Sequence, residues 1–593
     1  MIVNIFFGVS FCIFLAGMVF VFKVPEKISL LHTLIIALIS ELCIGGVAAK
    51  VYFLFNISIC LVNMGIVYLL AGSILWGIII KQKRMQAVAL DKEDMYAFLI
   101  PVIGFCTLFL LIFTPNLKIA YSGSDSAEHY SFALRVLDTG RISSMYYAEL
   151  FNGLVMEFFQ PFLTHMSLYK GFIIADALGQ LIHICMVTIL VSSVCTSRTV
   201  KLIFPFMILF YYIGWPLYCY SAGFSYQSWG ATLFAYIVYI ILKFYKSNHK
   251  KVLMLYLVLI ALGYYNTIVC YLLYAPVVGV IIIAGIVLAV RNKFQISPRV
   301  IIGVGAICIC MGIVLLICLM GYVNGRIDNI FQWLQVDGGI HKDLYRDFIP
   351  FMPGVFYLGI QYIKNRKCNL IYIFTINVFI YIIGTLVLAI CGIMSSYYFY
   401  KPYYLLWMLV WILNVMAVEL LLKTNKEILF AYSGVWLMAF LITFLGIDYK
   451  LAQKGLIVDA NANTIYPSCF PILDDMENYY INVADNILSD KNGLIDVCAY
   501  INDASYEDDR MVFICDTYIL MRWYNALTER QTDYVMIYDL SKGMEEYIGE
   551  GNQYIVMYQN SPEFWENGSA LEDFECVYNN GFYGVYKIAE IKE

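Results

Sequence analysis

Charge is scarce in this chain, since Asp, Glu, Lys and Arg make up only 14% of its 593 residues while 61% are hydrophobic. Soluble globular chains carry about 25% charged and about 45–50% apolar residues. The apolar residues here form runs of about 20, the length of helix that crosses a hydrocarbon layer of about 30 Å. The shortage of charge therefore excludes a large soluble fold and predicts an integral membrane protein.

Motifs of metal, redox and secretory proteins are also missing. The 17 cysteines include no Cys-x-x-Cys pair, so the sequence predicts neither a zinc site nor a redox motif. Thirteen of them precede residue 447, mostly inside apolar runs, where cysteine behaves as a small hydrophobic residue. No basic segment precedes the first apolar run, 4–22, and no cleavage pattern follows it, so we interpret it as a retained helix.

The apolar runs predict a mainly α-helical transmembrane bundle of about fourteen spans. Lys and Arg concentrate in alternate loops, and with fourteen spans all seven basic loops fall on one side, which the positive-inside rule assigns to the cytoplasm. The N-terminus and the C-terminal region are then extracytoplasmic at the plasma membrane. The predicted spans are 4–22, 29–49, 55–80, 95–114, 172–195, 202–220, 229–245, 252–269, 272–290, 300–322, 350–363, 370–392, 403–422 and 427–446.

The chain divides into three predicted regions. Residues 1–94 hold three transmembrane helices and a cytoplasmic loop, and residues 95–446 form the main transmembrane module. That module carries two long outer loops, 115–171 and 323–349. Transporters usually keep such loops short, whereas an enzyme that acts on an outer-leaflet substrate needs them. Residues 447–593 contain no span.

The C-terminal region is strongly acidic. It has nine Lys and Arg against 26 Asp and Glu, a net charge of −17, which leaves +12 for the rest of the chain. Such a surface is unsuited to nucleic acid, which is therefore excluded as a partner. Strand-like and helical segments alternate there, which predicts a small α/β domain. The strand-like segments are 511–515, 534–538, 554–558 and 584–588, and the clearest helical one is 518–528.

The most specific segment is 123–140, just after the fourth predicted span. Its spacing predicts a helix that ends at Gly140, a residue suited to a helix C-terminus. Asp125 and His129 share one face of that helix, with Glu128 beside them. A carboxylate there could act as a general base on an acceptor hydroxyl. The alternative is structural, because Asp125 followed by Glu128 also resembles a helix capping box.

A second segment, 395–404, places a single cation among tyrosines at the top of a predicted span. Lys401 could bind a lipid-linked phosphate, as a lysine commonly does. Its neighbours could hold the isoprenoid chain or a sugar face. The structural alternative is an aromatic belt with one interfacial lysine. The neighbouring tyrosines are Tyr397, Tyr398, Tyr403 and Tyr404.

Together, these features resemble the GT-C glycosyltransferases, membrane enzymes that take a sugar from a polyprenyl-phosphate donor. The resemblance covers roughly residues 95–450. It rests on an acidic residue in the first long outer loop, an Asp-x-x-x-His pattern entering a helix that ends in Gly, many spans and the extracytoplasmic tail. The segment Tyr-Tyr-x-x-Lys-x-Tyr-Tyr around Lys401 is similar to a late outer-loop motif in some members.

The resemblance implies a hexosyl- or pentosyltransferase with a polyprenyl-phosphate-linked sugar as donor. The acceptor would be a cell-envelope glycan, lipid or protein, in contact with membrane lipid. Asp125 would take the place of the catalytic base, with Glu128 and His129 as further candidates, and Lys401 would lie near the donor phosphate. The reaction would be a single inverting displacement. Independently of the resemblance, Trp333, Asp337 and His341 could form part of a sugar-binding loop, because aromatic rings stack on sugars, and Arg326 or Arg346 could stabilise the leaving phosphate. The structural alternative for all five is a solvated surface loop.

The chain departs from the family in two respects. Three spans precede the one that should open the fold, and the familiar acidic pair is not contiguous here, since Asp125 and Glu128 are separated. The second departure leaves open which carboxylate is the base. It also leaves open a divalent cation on Asp125 and His129, although no cofactor is required.

Two other classes of function compete with the enzyme. A transporter or flippase for lipid-linked glycans would need ionisable groups inside the membrane. The predicted spans hold few such groups, among them Glu41 deep in one span and Glu419 near the cytoplasmic end of another. An assembly protein of the envelope machinery, with the tail as its binding module, is the third hypothesis.

Overall fold

The structure of the chain is a computed structural model in which the described residues are mainly helical, with one small sheet near the C-terminus. The described residues are 1–23, 29–81, 92–121, 123–142, 147–247, 250–294, 335, 348–365, 369–444, 493–503, 511–515, 518–530 and 553–588.

Four long helices open the chain, because apolar runs of this length satisfy their backbone hydrogen bonds internally when they fold as helices in lipid. The first and third pack closely together. A Cβ atom on Gly72 would come within 3.2 Å of the backbone of Phe14, so a larger residue there would push the two helices apart by a few tenths of an ångström. The helices are α1 (Ile2–Lys23), α2 (Leu30–Leu54), α3 (Leu61–Lys81) and α4 (Lys92–Phe113).

The loop 115–171, predicted to be an outer loop, contains two shorter helices, α5 (Asp125–Thr139) and α6 (Tyr147–Phe159). Helix α5 ends at Gly140, whose φ of 64° lies in the left-handed region and whose N–H donates to the carbonyl of Val136. The predicted helix and its glycine end are therefore confirmed. Its buried residues include Tyr130, Ala133 and Leu134, which recur at helical spacing.

The centre of the bundle is formed by three deeply buried helices, α7 (Leu168–Val194), α10 (Ser225–Lys246) and α16 (Tyr403–Thr424). Shorter or more peripheral helices surround them. These are α8 (Arg198–Ile213), α9 (Trp215–Ser221), α11 (Lys250–Cys270), α12 (Ala275–Phe294), α13 (Met352–Lys364), α14 (Leu370–Ile390), α15 (Ser396–Tyr400) and α17 (Lys426–Phe444).

The chain is a multi-pass membrane protein, as predicted. Within the described ranges, ten helices are long and apolar enough to cross a membrane, or eleven if α8 and α9, bent by 41°, form one span. The predicted span 300–322 lies outside the described residues. Helix α13 has 13 residues, which is too short to cross, and α17 is not among the ten. The count of fourteen and the sidedness of the termini therefore stay predictions.

The C-terminal region contains a four-stranded mixed sheet in the order β1-β2-β4-β3. β1 and β2 are parallel, while β4 pairs antiparallel with both β2 and β3. The strands are β1 (Met511–Ile514), β2 (Tyr554–Tyr558), β3 (Glu575–Asn579) and β4 (Tyr583–Lys587), and the helices are α18 (Gly493–Asp503), α19 (Tyr518–Thr528) and α20 (Pro562–Asn567).

The predicted α/β character of this region is confirmed, with one strand missed. Strands were predicted at the positions of β1, β2 and β4, and a helix at α19. β3 was not predicted, since it is largely exposed and carries Glu575 and Asn579 at its ends, so it lacks a hydrophobic run. The predicted strand 534–538 lies outside the described residues.

Helix α19 attaches the C-terminal domain to the membrane region. The indole of Trp523 stacks against Tyr130 of α5, with ring centres 5.7 Å apart, and against Tyr121 at 6.1 Å. Glu529 pairs with His165 at 3.1 Å at the start of the fifth predicted span. Trp523 and Tyr121 are both fully buried. The domain is therefore docked on the same outer loop that carries Asp125.

Candidate functional site

Asp125 is the first residue of helix α5. The residue before it, Ser124, occupies the N-cap position, and its side chain makes no capping hydrogen bond. The interpretation of Asp125 as part of a capping box is therefore wrong, because Asp125 lies inside the helix rather than at the cap position. A carboxylate in the first turn is still favoured by the partial positive charge of the helix N-terminus.

The hydroxyl of Tyr226, in the first turn of α10, joins Asp125 to Lys401. It donates to Oδ2 of Asp125 at 3.4 Å and accepts from Nζ of Lys401 at 3.2 Å. Both distances are at the long end of the range for hydrogen bonds. Asp125 and Lys401 were singled out in separate segments of the sequence, and in the tertiary structure both contact the same phenol.

The side chain of Lys401 is fully buried among aromatic rings. Its Nζ lies 3.6 Å from the ring centre of Phe224 and 4.4 Å from that of Tyr397. Its backbone carbonyl accepts hydrogen bonds from Gln227 at 3.1 Å and from Tyr274 at 3.0 Å. Aromatic faces attract a desolvated cation. The rings and the two backbone contacts therefore hold a buried ammonium group in one position.

Tyr397 belongs to the same cluster. Its hydroxyl lies 3.3 Å from that of Tyr226, and its ring covers the amine of Lys401. Tyr398 packs edge-on against Tyr397, with ring centres 5.0 Å apart. Of the four tyrosines predicted around Lys401, Tyr397 contacts the amine and Tyr398 supports it.

Tyr403 and Tyr404 have other surroundings. Tyr403 packs against Phe399, with ring centres 5.4 Å apart. The hydroxyl of Tyr404 lies 3.3 Å from Nε2 of His183, in the interior of the bundle. The same imidazole contacts the hydroxyl of Tyr211 at 2.8 Å. Tyr404 therefore belongs to a buried polar network beneath the site, so its predicted contact with a lipid has no support from its position.

His129 and Glu128 differ sharply in exposure. His129 is buried, and its ring centre lies 5.1 Å from that of Tyr226. Burial lowers the pKa of His129 to about 4, so the imidazole is neutral near neutral pH. Glu128 is exposed. Of the three candidate residues on α5, Asp125 is the one hydrogen-bonded to Tyr226.

The pKa of Asp125 reflects both its burial and its cationic neighbours. Burial raises this pKa above the ordinary value of 3.8, whereas the charge of Lys401, the hydrogen bond from Tyr226 and the charge of Arg522 each lower it. Arg522 lies on α19 of the C-terminal domain, where its Nε donates to the hydroxyl of Tyr518 at 2.7 Å. A residue of the water-facing domain therefore contributes to the electrostatics of a carboxylate at the bundle.

A second carboxylate holds two residues next to this site in place. Asp176, buried in α7, accepts a hydrogen bond from Ser225 at 2.8 Å and one from Tyr121 at 3.1 Å. Ser225 directly precedes Tyr226, and Tyr121 is stacked on Trp523 of the C-terminal domain. Asp176 therefore fixes the start of α10 and one side of the domain contact.

Tyr226, Phe224 and Arg522 were not among the residues predicted from the sequence. The sequence did contain one signal for Tyr226, namely the polar segment Ser225, Tyr226 and Gln227 just before an apolar span. Polar residues at the end of such a span need hydrogen-bond partners. Arg522 gave no local signal, since it is one of many charges in an acidic region. Only packing shows that these residues lie near Asp125.

The five site residues predicted in the loop 323–349 lie outside the described residues. They are Arg326, Trp333, Asp337, His341 and Arg346. Among the residues that the structure does describe, no group of three or more His, Cys, Asp or Glu could hold a metal ion. A divalent cation on Asp125 and His129 stays a prediction.

No protein-family model and no curated protein sequence matches the chain. Among solved structures, the chain is similar to the crystal structure of the Archaeoglobus fulgidus oligosaccharyltransferase in complex with Zn and sulfate. The sequence identity is 13% and the TM-score is 0.41, and the match covers 80% of this chain and 69% of that chain.

Proposed function

We propose that this chain is a membrane glycosyltransferase of the GT-C kind. It transfers a sugar from a polyprenyl-phosphate donor to a hydroxyl of a cell-envelope glycan, lipid or protein at the outer face of the membrane. The observation that carries the proposal is the meeting of Asp125, Tyr226 and Lys401. This arrangement combines a base, a cation and aromatic surfaces in one place, which such a transfer requires.

Asp125 acts as the general base in this proposal. Burial raises its pKa above 3.8, and the charges of Lys401 and Arg522 limit that rise. A carboxylate whose pKa lies closer to the working pH is a stronger base but is still ionised. Asp125 is therefore suited to take the proton of an acceptor hydroxyl as that hydroxyl attacks the anomeric carbon.

Lys401 acts on the leaving group. The bond between the anomeric carbon and the phosphate oxygen breaks, and the phosphate leaves with the electron pair. A fixed cation in a water-poor site stabilises such developing charge strongly. The ring of Tyr397 covers the amine in the substrate-free chain, so the donor phosphate reaches Lys401 by displacing this ring. One displacement inverts the configuration at the anomeric carbon.

The test is the variant Asp125→Asn in full-length protein inserted in membranes. It is assayed for the transfer of labelled sugar from polyprenyl-phosphate sugars to envelope acceptors. We expect activity to fall at least 100-fold, because general base catalysis contributes about 10²–10⁴-fold. The matched control is Asp138→Asn, which removes an exposed carboxylate from the same helix. Wild-type activity in Asp125→Asn, with a folded protein, would contradict the proposal.

One observation favours a second function, ion-coupled export of a lipid-linked glycan. Glu41 lies in α2 and is fully buried, and within the described part of the chain neither of its carboxylate oxygens has a hydrogen-bond partner. Ionisable groups at such positions in transporters carry coupling protons or ions. If export is the function, Glu41→Gln abolishes it and Asp125→Asn does not, whereas the enzyme proposal expects the reverse pattern for sugar transfer.

A further inference from the structure

We propose that Tyr226 is a positioning residue that assigns different tasks to the two oxygens of Asp125. Its phenol holds Oδ2, and Oδ1 is left to receive the proton of the acceptor hydroxyl. This inference rests on the proposed function, and it adds a residue that neither the motif around Asp125 nor the one around Lys401 contains.

The direction of the hydrogen bonds supports this assignment. An ammonium group has only donors, so Lys401 donates to the Tyr226 oxygen. The phenol has one proton, and a carboxylate can only accept, so Tyr226 donates that proton to Oδ2 of Asp125. Tyr397 must then be the donor in its contact with Tyr226, at 3.3 Å. All the bonds therefore run toward the carboxylate.

The phenol is also held in place by its surroundings. Its ring is buried between His129 at 5.1 Å and Tyr271 at 5.2 Å, measured between ring centres. Its backbone carbonyl accepts from the thiol of Cys270 at 3.4 Å, and the preceding Ser225 is bonded to Asp176. A hydroxyl fixed on both sides can orient the carboxylate before a substrate arrives, which lowers the cost of reaching the reactive geometry.

The assignment gives a balanced reaction step. The O–H bond of the acceptor breaks and an O–H bond forms at Oδ1 of Asp125. The acceptor oxygen bonds to the anomeric carbon, and the phosphate leaves with the electrons of the broken C–O bond. The phenol keeps its proton throughout. Its task is to favour the ionised carboxylate and to hold its plane, so Tyr226 acts through Asp125.

Four charged or titratable groups other than the Tyr226 phenol lie around Asp125. Lys401 lies between α15 and α16, Arg522 lies on α19, and Glu128 and His129 lie on α5 itself. Removal of the phenol hydroxyl leaves all four in place. Any change in the ionisation of Asp125 in such a variant therefore comes from loss of the hydrogen-bonded link that this hydroxyl makes between Asp125 and Lys401.

The experiment is Tyr226→Phe in the full-length protein, with kcat/KM measured across pH using a polyprenyl-phosphate sugar as donor. We expect kcat/KM to fall about tenfold or more, since a hydrogen bond to a charged group is lost. The loss of a donor to the ionised form raises the pKa of Asp125, so the acid limb of the profile moves about one unit to higher pH. A purely structural role would lower activity without moving this limb.

The matched control is Tyr239→Phe, which removes a phenol hydroxyl from the same helix, about 20 Å further along at 1.5 Å per residue. We expect its acid limb to coincide with that of the wild type. The inference is overturned if Tyr226→Phe keeps the wild-type limb while Asp125→Asn is inactive, a result that leaves the proposed function standing. If Asp125→Asn is fully active, both the proposed function and this inference fail.

Discussion

Two buried charged residues lie near opposite ends of helix α16 and have different surroundings: Lys401, two residues before the helix begins, and Glu419, near its end. Lys401 is surrounded by aromatic faces and contacts the Tyr226 hydroxyl. In the last turns of the helix, Glu419 accepts from the backbone N–H groups of Thr196 and Ser197, at 2.9 and 3.1 Å, and pairs with Lys423 at 2.8 Å.

Under the proposed function, this difference separates a structural charge, that of Glu419, from a charge that acts in the reaction, that of Lys401. Glu419 satisfies the N–H groups that precede α8, as a helix cap would, and its charge is neutralised within the fold. Lys401 is held by rings whose attraction is weaker than that of a carboxylate at contact, so an incoming phosphate could replace them. Four variants test this comparison.

The largest effect is expected for Lys401→Met. Methionine keeps the length of the side chain and makes favourable contacts with the surrounding rings, so the melting temperature should stay equal to or rise above that of the wild type. Sugar transfer should fall about 100-fold, because the leaving phosphate loses its cation. Thermal unfolding and transfer are measured on the same preparation. A large loss of stability would show that the amine is structural.

At the opposite end, Glu419→Ala should reverse this pattern. The N–H groups of Thr196 and Ser197 lose their acceptor, which is equivalent to removing a helix cap and costs about 1–2 kcal/mol. We expect a lower melting temperature, with kcat/KM of the folded fraction unchanged. A selective loss of activity with no change in stability would break the distinction between the two ends.

Arg522→Gln tests whether the C-terminal domain influences the site around Asp125 and Lys401. The charge of Arg522 favours the ionised form of Asp125, so its removal raises the pKa of that carboxyl. The acid limb of the kcat/KM profile should move to higher pH by less than for Tyr226→Phe, while the plateau at high pH is kept. Arg530→Gln, at the end of the same segment, is the control. Equal profiles for both variants would exclude Arg522 from the site.

The smallest effect is expected for Lys423→Gln. Lys423 is half exposed and pairs with Glu419 four residues earlier in the helix. Exposed pairs at this spacing contribute about 0.3–0.5 kcal/mol and are screened by salt. We expect a marginal decrease in melting temperature that disappears at high ionic strength. A decrease as large as that of Glu419→Ala would assign the stabilisation to the ion pair instead of the capped N–H groups.

Much of the fold followed from local patterns. The helix that starts at Asp125 and ends at Gly140, the strand Tyr554–Tyr558 and the helix Tyr518–Thr528 all match their predicted positions. The length of an apolar run, the periodicity of its residues and the glycine that ends a helix are all local features. They can therefore be recognised in the sequence. The exposed strand Glu575–Asn579 was missed because its pairing with β4, and not its own residues, makes it a strand.

Local sequence patterns were enough to predict a helical membrane protein with an acidic α/β domain and to single out Asp125 and Lys401. The reason is that apolar run length, helix ends and net charge are properties of continuous segments. Only the tertiary structure decided that a single phenol joins these two residues, that Lys401 is buried against rings, and that Arg522 of the distant domain lies near Asp125. Such contacts depend on how separate helices pack, and no local spacing records that packing.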